Sequence, residues 1–195
     1  MIPKIEKLIT IWETFEKERE DFFDITGKVI RLTKKHQLAL FRGEIKNAEK
    51  ILEEIKKYRE EYLKITKNNS FLERKDKFSI AEQEFVESYL LHYFVIEGKI
   101  LDYEYFLEKY KVFYTDYLAG LLDFLGEIKR IFLDKLGKNK YEEAKKLKDL
   151  VENVYLDLLN LNLKLADLRN KVDSLRYLIK SMEETLVYYK IKTQI

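Results

Sequence analysis

TDYLAGLLDFLGEIKRIFLDKLG, residues 115–137, sets Asp116, Gly120, Asp123, Glu127 and Arg130 along one stripe at steps of three or four, among Tyr117, Leu118, Leu121, Leu122, Phe124 and Leu125. That is the period of an α-helix, in which side chains three and four apart share a face. The spacing predicts a helix from Thr115 to Leu136, closed at Gly137 and Asn139. Downstream, Tyr141 onward reads as helix to the C-terminus, broken near Leu159 to Leu163. Upstream lies an aromatic-rich connection with Tyr103, Tyr105, Phe106, Tyr110, Phe113 and Tyr114, which either meets a partner or packs tightly on its own chain. Before it, Ser79 and Glu82 offer a capping box for a helix running to about Glu97 and closed by Gly98. Lys67-Asn68-Asn69-Ser70 reads as a polar loop.

The N-terminal segment repeats the helical pattern. Pro3 suits a first helical turn, and Ile5, Leu8, Ile9, Trp12, Phe15, Arg19, Phe22 and Phe23 follow at helical spacing. The pattern passes Gly27 and continues through Ile30 to Phe41; Gly43 breaks it before Ile45, Ile51, Leu52, Ile55, Tyr58 and Tyr62. Two antiparallel helices are expected there. No strand pair with a hairpin turn appears, and neither does an internal repeat or a low-complexity linker. The fold class is all-α, in one domain over residues 1–195.

Composition narrows the function. With 37% charged residues but a net charge of only +2, the signs are interspersed, and an anionic partner needs a local basic patch. The absence of cysteine excludes disulfides, thiolate catalysis and Cys-ligated zinc. The first 21 residues hold no uninterrupted apolar core of a secretory signal, and no segment matches a membrane span of about 20 residues, so a cytoplasmic protein is expected.

The residues with most chemical content are acidic. Glu84 and Glu87 are three apart on a segment otherwise dominated by Phe85, Val86, Tyr89, Leu90 and Leu91, so they share one face. Asp123 and Glu127 form a second pair on their own stripe. Four carboxylates converging from two packed helices would repel one another and resist desolvation unless a divalent cation or protons neutralise them. Hard oxygen donors favour Mg²⁺, with Mn²⁺ as the alternative. Spacing alone equally describes acids on solvated faces paired with nearby bases. A di-iron carboxylate bundle would need Glu-x-x-His on two helices, and His36 and His92 lack that spacing.

Gln83-Glu84-Phe85-Val86-Glu87-Ser88 resembles the Gln-Glu-Tyr-Val-Glu-Ala helix of translin-associated factor X. Asp116 through Arg130 is similar to that branch's Asp-Tyr-Leu-x-Gly-x-x-Asp-x-x-Gly-Glu-x-x-Arg segment. Leu158 through Leu161 and Leu168 through Leu175 resemble the C-terminal region of translin. The chain thus resembles the translin family, nearest its translin-associated factor X branch and of an archaeal type. The resemblance implies a bundle of six or seven helices and a homo-octameric shell around RNA. It also implies an endoribonuclease that hydrolyses phosphodiesters with Mg²⁺ at Glu84, Glu87, Asp123 and Glu127. Lys28, Arg31, Lys35 and Arg42 recur on one helix face as a candidate RNA-binding stripe, and Lys129 and Arg130 lie near the acids in sequence. Two other readings stay open: a noncatalytic shell binding RNA or single-stranded DNA, and a helical scaffold with no nucleic-acid role.

Overall fold

The computed structural model describes residues 5–73 and 76–193, and Pro3 lies outside them. Eight α-helices make up the described residues, with no strand among them. They divide into two compact units, Met1–Leu101 and Asp102–Ile195.

In the first unit, α1 (Glu6–Phe41) and α2 (Ile45–Asn68) form the expected antiparallel pair. Three contacts show the direction: Asn69 donates to Glu18 at 3.2 Å, Tyr62 meets Phe22 edge-on, and the Lys28 ammonium lies over the Tyr58 ring. The reversal depends on Gly43, whose φ of 73° is in the left-handed region. Its N–H bonds Leu40 and that of Glu44 bonds Ala39, satisfying carbonyls that the end of α1 would otherwise leave open. After the single turn α3 (Ser70–Glu73), α4 (Asp76–Glu97) runs parallel to α1 and antiparallel to α2. Phe22, Val29, Ile55, Tyr62, Phe85, Val86, Leu90 and Leu91 are almost fully buried in this unit. Each such burial contributes on the order of 1.5–3 kcal/mol before chain entropy is counted.

The second unit holds α5 (Tyr103–Tyr110), α6 (Tyr114–Gly137), α7 (Tyr141–Leu158) and α8 (Ala166–Thr193). Asn139 at φ 59° closes α6 in the same manner as Gly43 closes α1, with Asn139 N–H bonding Leu136 and Lys140 N–H bonding Lys135. Tyr189 donates to Asn139 and stacks on Tyr141, so the end of α8 returns to the start of α7.

Four local expectations are corrected. The polar stretch at 67–70 is no loop: α2 runs through Asn68 and α3 begins at Ser70, leaving Asn69 alone between them outside helical geometry. Ser79 and Glu82 do not cap a helix, because α4 already starts at Asp76; Ser79 accepts from Gln83, and Glu82 binds Arg59 and Tyr62. The aromatic connection contains α5, capped by the Asp102 carboxylate accepting from the Tyr105 N–H, with Phe106 buried. Finally, the apolar start of α1 is not core. Leu8, Ile11 and Trp12 are 59–65% exposed, because the neighbouring helix α2 ends opposite Glu18.

Candidate functional site

Glu84 and Glu87 sit on the face of α4 that meets α1, one helical turn apart. Thr33 Oγ1 donates to Glu84 at 2.7 Å and Gln37 Nε2 donates to Glu87 at 2.6 Å. Thr33 Oγ1 also lies 2.8 Å from the Ile30 carbonyl, but a hydroxyl has one proton, and the carboxylate is the stronger acceptor. The Lys34 ammonium lies 3.0 Å from Glu84 and 3.8 Å from Glu87. Thus α1 supplies two neutral donors and one cation to the two acids. Glu87 is buried and Glu84 half-buried, so the pair is partly withheld from water while these contacts supply hydrogen-bond donors to its oxygens.

Sequence periodicity found the acids and missed the groups facing them. Thr33 and Gln37 are buried polar residues four apart, inside a stripe of α1 that also buries Val29 and Leu40. A Thr-x-x-x-Gln spacing interrupting an apolar stripe was the available signal.

In the second unit Asp123 and Glu127 are half-buried on the same stripe of α6. Lys171 of α8 donates to Asp123 at 2.5 Å. Within each unit, no group of three or more His, Cys, Asp or Glu side chains among the described residues is arranged to hold a metal ion. The proposed cationic residues divide. Lys28, Arg31, Lys35 and Arg42 are all exposed on α1 or at its cap, as a stripe open to a ligand requires. Arg130 is exposed on α6, whereas Lys129 donates to Ser181 at 2.9 Å and ties α6 to α8.

His36 and His92 pack on each other. Their rings stack with centroids 5.3 Å apart, and His36 Nε2 lies 3.1 Å from His92 Nδ1. One proton fits between these nitrogens, so a charged pair is disfavoured. Burial first, and then the neighbouring His92, push the His36 pKa down to about 3. Burial also lowers His92, opposed by Glu49 and Glu53 and assisted by Lys56. Because the folded pKa lies below the unfolded value, the unfolded chain takes up the proton first. Stability is fully present above about pH 6.5 and declines as pH falls towards 3. Between pH 7 and pH 5, His36 is expected to remove roughly 2 kcal/mol of unfolding free energy. Urea titrations at both pH values check this, and His36→Leu should flatten the difference; an equal pH dependence in that variant would assign it elsewhere.

Among the described residues, no helix is long and apolar enough to cross a membrane. A family model described as the translin family matches residues 4–193. Among solved structures, the chain is similar to apo-NeC3PO at 29% identity, covering 97% of this chain and 98% of that one, with a TM-score of 0.87. AfC3PO in complex with duplex RNA is similar at 22% identity over 96% and 97% of the two chains, with a TM-score of 0.78. AfC3PO alone is similar at 21% identity over 97% and 98%, with a TM-score of 0.77. A comparison with curated proteins returns no match.

Proposed function

Since the chain belongs to the translin family, we propose that it binds RNA and cleaves it by Mg²⁺-dependent phosphodiester hydrolysis, as a member of the catalytic, translin-associated factor X-like branch. The observation that carries this reading is the Glu84–Glu87 pair: two acids held from α1, with the Lys34 ammonium drawn to both. The donor set fits a hard divalent cation, since the acids offer oxygens only and a positive charge is favoured between them. We assign Glu84 and Glu87 in the first unit, and Asp123 and Glu127 in the second, as the acids that would hold Mg²⁺, with Mn²⁺ as a substitute.

When bound, Mg²⁺ supplies Lewis-acid stabilisation of charge on the phosphodiester. The chain's own groups do the rest. Lys28, Arg31, Lys35 and Arg42 bind backbone phosphates along α1, and Arg130 does so on α6, with Lys129 beside it. Glu127 is suited to orienting water or accepting its proton. AfC3PO has been seen with duplex RNA, and RNA is the ligand class we assign here.

We further assign self-association into a homo-octameric shell. Exposed apolar groups on α1 (Leu8, Ile11, Trp12) and on α8 (Tyr177, Val187, Tyr188) support association, because a lone chain would leave them in water.

Labelled single-stranded RNA incubated with pure protein tests the reading. Cleavage in Mg²⁺ and none in EDTA is expected. Retarded but intact RNA in Mg²⁺ would replace the enzyme with a noncatalytic binding shell, and no retardation would leave the scaffold. Light scattering on the same preparation should give eight copies, and a stable monomer removes the shell.

A further inference from the structure

Lys34 stands where the two acids of α4 face α1. Its side chain is 55% exposed, against 18% for Glu84 and 5% for Glu87. Thr33 and Gln37 flank it on the same helix, and their neutral contacts have a different character. Gln37 holds Glu87 by Oε1 and leaves Lys34 to approach Oε2, while Thr33 and Lys34 both meet Oε2 of Glu84. Thr33 and Gln37 are short and buried, so they hold the carboxylates in place whatever cation is nearby. Lys34 is a flexible, mostly exposed side chain that can retract into water at small cost.

The Lys34 ammonium meets an oxygen of each acid, and a divalent cation drawn to the same oxygens competes with it. We propose that Lys34 is a built-in counter-ion of the Glu84–Glu87 pair that a divalent cation displaces, so that ammonium and metal occupy the pair in competition. This rests on the reading that these acids take a metal. It adds a function to a residue that adjoins Lys35 of the basic stripe on α1. Lys34 holds the acids in position before loading, and it weakens the metal's apparent affinity, because its contact is lost on binding.

Mn²⁺ alone is the probe, with free Mn²⁺ read by electron paramagnetic resonance in the absence of RNA. Lys34→Met keeps the length of the stem without its charge, and Lys34→Gln is a second variant should Met disturb packing. Both should bind Mn²⁺ roughly two- to fivefold more tightly than the wild type, since an ion pair of this exposure is worth up to about a factor of five. The same variants should unfold at lower temperature than the wild type in EDTA, because the acids then repel without a counter-ion. Unchanged or weaker Mn²⁺ binding by folded Lys34→Met and Lys34→Gln overturns the proposal. The metal reading is checked separately by Glu84→Gln/Glu87→Gln. If that variant loses Mn²⁺ while Lys34→Met matches wild type, only the counter-ion role fails; if it binds Mn²⁺ like wild type, the assignment of these acids fails and the counter-ion role with it.

Discussion

Replacing Arg59 with Met is expected to cost about 3–5 kcal/mol, because it breaks a buried ion pair. Arg59 donates to Glu82 through Nε at 2.8 Å and through the terminal nitrogen at 2.7 Å, a two-pronged contact with both residues almost fully buried. The guanidinium also lies 4.7 Å from the centroid of the Phe85 ring. Tyr62 adds a short hydrogen bond to the same carboxylate. Removing Arg59 strands a buried carboxylate with a phenol as its remaining partner among these groups. For a chain of this size the loss corresponds to a fall in melting temperature of roughly 10 °C. Removing the stranded charge as well should restore stability. Arg59→Met/Glu82→Leu removes both charges, and adding Tyr62→Phe removes a hydroxyl that would otherwise lack its acceptor, at about 1–3 kcal/mol. The triple variant should regain most of the stability. A triple variant as unstable as Arg59→Met would show that packing, not charge, makes the position sensitive.

Asp123→Asn is expected to lower Mg²⁺-dependent RNA cleavage by at least about 100-fold. Groups that merely support a metal ligand change activity by about 10–100-fold, and a direct ligand should exceed that. The substitution keeps the shape of the side chain and removes its charge. Its structural cost is small, since the lost partner, Lys171, forms a pair whose two side chains are 31% and 38% exposed. Pairs of this kind contribute about 0–1 kcal/mol. Circular dichroism and light scattering should therefore match the wild type while cleavage disappears. Full cleavage by the pure variant would sink the role given to Asp123; lost helicity would move the effect to folding.

Glu82 reads from the sequence as the far half of a capping box, yet it is 2% exposed and binds both Arg59 and Tyr62. A capping box and a buried ion pair leave the same local trace, a carboxylate near a helix start. The partner that distinguishes them, Arg59, is 23 residues away.

What the sequence determined by itself is the helical course of the chain. The breaks at Gly43, Gly98 and Asn139 all fall where backbone φ turns positive, because glycine and asparagine tolerate that geometry and most residues do not. The three-residue step between Glu84 and Glu87 likewise fixed a shared face without further information. Tertiary packing decided the rest. It brought Thr33, Lys34 and Gln37 against those acids, joined His36 to His92, and sent Lys129 to Ser181. It also left Leu8 and Trp12 exposed at the start of α1, although their spacing matches that of buried Val29. Periodicity says which side chains share a face; whether another helix reaches that face, and with which residues, depends on contacts between distant segments that a local pattern does not encode.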